Sequence, residues 1–288
     1  MRKDDIKKNG FLVVKKIIDV NLIDQIYNSC KKKLNHTKYL IRPNYIDNKT
    51  SKKKLQGPQN DIKIKINKNI IQKGYKFYSK FTKSIQFKNP LILFPHLVKY
   101  IVNDKVISFS KKFLNSKNPH ILHVALTAWF PSKLPVSDIN YLHFDGKIDT
   151  TNKEKILKLT IPFHIAREKI QKEFQVLAVQ KKKLGLKKFE TLNYIKKESL
   201  PLKLKKNLKI PIAKKGDGIF FDPNNFLHLA SKPRELRIIL YVVIGDKNSY
   251  LIRNTKDTKI NLVNYNILNR KSKKFVKYLT KSHIQLKK

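Results

Sequence analysis

Apolar positions recur at helical spacing in the first part of the chain and alternate strictly further on. Residues 10–18, Gly-Phe-Leu-Val-Val-Lys-Lys-Ile-Ile, predict a short strand. Asp19 or Asn21 can cap the helix that follows, where Leu22, Ile23, Ile26, Tyr27, Cys30 and Leu34 form one apolar stripe. Cys30 belongs to that stripe and is expected as a buried packing residue. Residues 35–72 are polar and lysine-rich, with Pro43, Gly57 and Pro58, and predict a long loop or lid. Pro95 to about Asn115 is a second helical region, carrying Leu97, Ile101, Phe109 and Phe113.

From residue 120 the period becomes two. Ile121, His123, Ala125, Thr127 and Trp129 are expected on one strand face, and Leu122, Val124, Leu126, Ala128 and Phe130 on the other. Further strands are predicted at 156–164, 174–180, 208–213, 218–222, 226–230 and 236–244. Short strands separated by turn signals predict a mainly β protein with flanking helices, a barrel or a jelly roll. The division expected is one domain over residues 1–255, helical to about 118 and β from about 119 to 248. Residues 256–288 would be a basic C-terminal extension, with Phe275, Tyr278 and Leu279 on one side of a surface helix. No G-x-G-x-x-G, P-loop or internal repeat is present.

Composition narrows the choice less than its extremes suggest. A length of 288 residues with 41% apolar content supports a real core. The formal charge of +44 invites a polyanion partner, yet only 7 of the 64 basic residues are Arg. The lysines are spread along the whole chain in an Asn- and Ile-rich background, as AT-rich coding would produce, so specific nucleic-acid binding is not expected. A single cysteine excludes an intrachain disulfide and a zinc site built on several thiolates. No apolar run approaches the ~20 residues of a membrane span, and the first residues lack a signal-type apolar core, so a cytoplasmic protein is expected.

The candidate chemistry sits at His143-x-Asp145, His228 and Arg237. On a strand, His143 and Asp145 point the same way and can share one metal ion. A distant His228 completes two histidines and a carboxylate with open positions, the set a non-haem Fe(II) oxygenase uses. The alternative for His143 is a half-buried strand histidine bonded to Asp145. Before His228, Gly216-Asp217-Gly218 and Pro223-Asn224-Asn225 mark turns around the strand Ile219-Phe220-Phe221. Arg237 opens the most apolar strand in the chain, where a guanidinium is costly without an anion. A co-substrate carboxylate would pair with it bidentately; the alternative is an Arg at the barrel rim whose head reaches water. Thr127 is a candidate for co-substrate contact, and Trp129 for shaping a pocket or for plain core. His120 and His123 face opposite ways and make no second metal site, and His164 shows no partner.

These residues resemble the Fe(II)/2-oxoglutarate-dependent dioxygenases, most closely their phytanoyl-CoA dioxygenase-like branch. Asn9-Gly10-Phe11-Leu12-Val13-Val14 with its helix is similar to the branch's N-terminal signature. Gly-Asp-Gly-Ile-Phe-Phe-Asp before His228 is similar to its penultimate strand. The resemblance spans about residues 9–245 and implies a double-stranded β-helix (cupin-like jelly roll). It also implies Fe(II) on His143, Asp145 and His228, and 2-oxoglutarate on Arg237 with Ser231 as helper. The implied reaction consumes dioxygen, releases succinate and carbon dioxide, and hydroxylates a small molecule. Asp145 favours hydroxylation, because halogenating relatives lack this carboxylate. One departure is Ala178–Gly185, which lacks the family's Gly-Ser-His stretch.

Two other classes compete. A basic nucleic-acid binder draws on charge alone. A non-catalytic cupin-like metal or sugar binder would keep the histidines but would not need Arg237. The lysine-rich segments 31–67 and 181–206 leave room for an anionic, phosphorylated or CoA-linked substrate.

Overall fold

A computed structural model describes residues 3–36, 39–41, 84–87, 89–131, 141–145, 155–163, 174–184, 194–230, 233 and 235–246. Its strands are β1 (Phe11–Val14), β2 (Leu40–Ile41), β3 (Ser84–Phe87), β4 (His120–Trp129), β5 (Tyr141–His143) and β6 (Ile156–Pro162). They continue with β7 (Phe174–Gln180), β8 (Tyr194–Lys196), β9 (Leu208–Lys209), β10 (Gly218–Phe221), β11 (Phe226–Ala230) and β12 (Arg237–Gly245). The helices are α1 (Lys3–Asn9), α2 (Val20–Lys33), α3 (Pro90–Leu93), α4 (Leu97–Ile101), α5 (Asp104–Leu114) and α6 (Leu202–Lys205).

Two antiparallel sheets result, ordered β1-β10-β6-β12-β4-β3-β2 and β8-β5-β11-β7-β9. Within them β4 pairs β12, β5 pairs β11, β6 pairs β10 and β7 pairs β9. First with last and second with next-to-last is an antiparallel ribbon folded over on itself, which is the jelly-roll or double-stranded β-helix topology expected from the sequence.

The main core lies between one face of the larger sheet and the helices. Leu126 and Ala128 of β4, Leu159 and Ile161 of β6, and Leu240 and Val242 of β12 meet Ile23, Ile26 and Cys30 of α2 in one buried cluster. Asp19 caps α2 as expected, its carboxylate accepting from the Asn21 and Leu22 amides at 2.9 and 3.2 Å. Cys30 is fully buried, and that burial pushes its thiol far up, so it packs and does not react.

The helical region expected at 95–115 consists of two helices: α4 ends at Ile101, and Asn103 caps α5 by accepting from the Val106 amide at 3.0 Å. Three expectations are corrected. The strand predicted at 10–18 ends at Val14, where Lys16 turns the chain with φ 51°. β9 has two residues, far shorter than 208–213. Ile121 joins Val124 and Leu126 in the core, because the β4–β12 register shifts between Val243–His123 and Ile244–Ile121, leaving Leu122 as an extra, bulged residue.

Close backbone approach explains two glycines. Gly216 has φ +88°, and a Cβ there would stand 2.6 Å from the Ile18 carbonyl oxygen. Its neighbour Asp217 is buried and accepts from the Lys16 and Lys214 amides and from Lys15 Nζ, at 3.0, 2.9 and 3.0 Å. This knot fixes the start of β10 against the turn before α2. Gly10 (φ +81°) lets the end of α1 approach Val176 of β7. The predicted extension 256–288 and most of the predicted loop 35–72 fall outside the described residues. Among those described, no helix is long and apolar enough to cross a membrane.

Candidate metal and co-substrate site

His143 and His228 are direct cross-strand partners, the one in β5 and the other in β11. Their ring centroids are 4.5 Å apart. Asp145 lies two residues past the end of β5, in a bend rather than on the strand. The link to the neighbouring turn replaces strand pairing there: the Asp145 amide donates to the Pro223 carbonyl at 3.1 Å. That turn is itself held by Asp222, whose carboxylate accepts from the Asn224 and Asn225 amides and from Asn225 Nδ2 at 3.2, 3.2 and 2.7 Å. Burial nevertheless pushes the Asp222 carboxyl upward against the pull of Asn225 and Asn224.

The three candidate ligand atoms lie within 4.8 Å of one another. Asp145 Oδ1 is 3.6 Å from His143 Nε2 and 3.2 Å from His228 Nε2. His228 is buried, with Nδ1 3.3 Å from the Phe226 carbonyl. Donation from Nδ1 to that carbonyl leaves the Nε2 lone pair for a metal. Phe221 packs edge-on against the His228 ring at 5.0 Å and fixes its plane.

Lys158 of β6 enters the same cluster, with Nζ 2.5 Å from Asp145 Oδ2. Burial pushes the Asp145 carboxyl upward. The ammonium of Lys158 and then His228, by charge and hydrogen bond, outweigh it and hold the group well below the usual carboxylate range. Asp145 is therefore an anion near neutral pH, the state that binds metal.

A cavity of about 380 Å³ opens between the sheets and is lined by His143, Asp145 and His228 together with Thr127, Trp129 and Arg237. That volume lies in the range of small-molecule pockets, ~300–1,000 Å³. The geometry therefore brings together every predicted site residue that it describes; Ser231 and His164 lie outside the described residues. Arg237 is 3% exposed, so it is no rim residue reaching water. Its guanidinium carbon stands 5.6 Å from the centre of the Trp129 ring, its register partner on β4. Trp129 lines the cavity and donates through Nε1 to Tyr241 Oη at 3.1 Å. Burial pushes the Tyr241 hydroxyl up, more than Arg237 and Lys158 pull it down, so Tyr241 keeps its proton as a donor. His123 is not among the cavity residues. Its imidazole is pushed down by burial and then by the charge of Lys158.

Lys158, Thr160 and Tyr241 were not singled out from sequence. The signal was present: in Ile-Leu-Lys-Leu-Thr-Ile-Pro, polar residues alternate with aliphatic ones as they do in β4.

No protein-family model and no curated protein sequence matches the chain. Solved structures do. SnoN, a non-haem α-ketoglutarate-dependent epimerase from nogalamycin biosynthesis, superposes with a TM-score of 0.54 at 10% identity, covering 90% of this chain and 91% of that one. HygX from Streptomyces hygroscopicus, solved with nickel and 2-oxoglutarate bound, gives 0.52 at 10% identity, covering 84% and 85%. The chain thus shares its fold with SnoN and HygX, over most of the length of each.

Proposed function

We propose that this protein is an Fe(II)- and 2-oxoglutarate-dependent oxygenase, a hydroxylase of a small molecule. The observation that carries the proposal is one cavity lined both by the His143–Asp145–His228 cluster and by the buried guanidinium of Arg237. A non-catalytic metal or sugar binder has no need of a buried Arg beside its metal ligands. A nucleic-acid binder has no need of the cavity.

The donor set fits the group. Two imidazole nitrogens and one ionised carboxylate oxygen from one side of a cavity suit Fe(II) and leave positions open. Bound Fe(II) with 2-oxoglutarate supplies dioxygen activation coupled to decarboxylation. The chain's own residues do the rest. Arg237 grips the far carboxylate of 2-oxoglutarate through its planar guanidinium fork. Thr127, on the same inner face of β4, offers a hydroxyl to the co-substrate; Trp129 closes over Arg237. Phe174, Ile219, Phe221 and Ile239 line the walls and keep water from the reacting centre. Retention of a carboxylate at Asp145 supports hydroxylation rather than halide transfer.

Calorimetric titration of metal-free protein with Ni(II), then with 2-oxoglutarate, tests the reading. One equivalent of each is expected, the second only after the first. Equally strong 2-oxoglutarate binding without metal would contradict it.

A further inference from the structure

Lys158 is a charged residue of the cavity wall that the proposed chemistry leaves unused. β6 turns Lys158, Thr160 and Pro162 into the cavity while Leu157, Leu159 and Ile161 face the core. The Lys158 side chain is 18% exposed, and its ammonium lies over the Tyr241 and Phe221 rings at 5.1 and 5.7 Å. One of its three donors goes to Asp145 Oδ2.

Asp145 is shared: its Oδ2 accepts from Lys158, and its Oδ1 faces the Nε2 atoms of His143 and His228. Lys158 therefore has a carboxylate partner that also belongs to the metal-ligand cluster, and its remaining N–H donors can serve an anion that enters the cavity.

We propose that the substrate carries a carboxylate or phosphate group that docks on Lys158 next to the metal. The inference rests on the proposed function and names its substrate class. Lys158 then selects the substrate and places it, while Oδ1 of Asp145 serves the metal.

The test uses protein loaded with Co(II) and saturating 2-oxoglutarate, with loading read first from the cobalt absorption bands. Acetate and inorganic phosphate are the probes, and acetamide is the neutral comparator. Paramagnetic broadening of the acetate methyl proton or the phosphate phosphorus signal reports only anions near the cobalt, so the lysines of the outer surface do not contribute. Saturable broadening of one or both anions is expected, with none for acetamide. Whether acetate or phosphate saturates first tells which group the pocket suits. Lys158→Met should need about tenfold more anion for the same effect, the worth of a charge-assisted hydrogen bond. Lys158→Arg should retain binding. Lys158→Gln, which keeps a donor towards Asp145, should show the same loss as Met and serves if Met loads cobalt poorly. Equal broadening in wild type and in the Gln or Met variant, or equal broadening by acetamide, overturns the proposal. Failure of the wild type to take up cobalt and 2-oxoglutarate defeats the proposed function itself, and this inference with it.

Discussion

The two faces of β4, β6 and β12 share the same backbone and differ by one residue in phase. On the outer face, Leu126, Ala128, Leu159, Ile161, Leu240 and Val242 are buried against the helices. On the inner face, Thr127, Trp129, Lys158, Thr160, Arg237 and Tyr241 line the cavity. The outer face gains free energy by leaving water, at roughly 25 cal/mol per Å² of apolar surface. The inner face keeps polar and charged groups in a confined space, which is costly unless they find partners. Stability and chemistry therefore reside on opposite sides of one sheet, and substitutions on the two sides should have separable effects.

The largest effect is expected on the inner side. His143→Ala or His228→Ala should abolish metal-dependent 2-oxoglutarate turnover, while the metal-free variant still folds; turnover at the wild-type rate in either variant would remove the ligand assignment. On the outer side, Leu240→Ala should cost about 2–5 kcal/mol of stability. Chemical denaturation measures that loss, and metal affinity per folded molecule should stay at the wild-type value. Arg237→Ala should come next, weakening 2-oxoglutarate binding by about 10- to 100-fold, the equivalent of one lost charge-assisted contact. Iron affinity, measured separately, should hold; equal loss of both, or of neither, would take Arg237 out of its role.

The smallest effect is a dependence on pH. Because the folded Asp145 carboxyl is held below its usual value, its contribution to stability is complete above the ordinary carboxylate pKa of ~3.9. It disappears as pH falls through the lower folded value. Thermal unfolding of metal-free Asp145→Asn should therefore lie below wild type at neutral pH, and the gap should close in acid. A constant gap down to pH 2 would show that the Lys158 pairing adds nothing.

Much of this two-faced design is legible in the sequence, since alternation fixes which side chains share a face. Counting alone puts His123, Thr127 and Trp129 on one face as candidate pocket wall, of which Thr127 and Trp129 line the cavity and His123 does not; His143, Asp145, His228 and Arg237 stand out by residue chemistry. What the sequence hides depends on partners far along the chain. The bulge at Leu122 exists only because β12 pairs with β4 in a shifted register, so Ile121 changes face against the count. Asp145 reaches the histidines from a bend held by the Pro223 carbonyl, a contact across 78 residues that no local pattern encodes. Lys158 stood in an alternating strand but looked like one of many lysines until folding set it against Asp145. In a chain of +44, a functional cation has no contrast in composition.

The central claim is that the cavity binds Fe(II) and 2-oxoglutarate together. Anaerobic addition of both to metal-free protein, followed by visible absorption, tests it most directly, with His228→Ala as the control. A metal-to-ligand charge-transfer band that needs both additions and His228 is predicted. Folded wild-type protein that gives no band, or a band that survives in His228→Ala, would contradict the account.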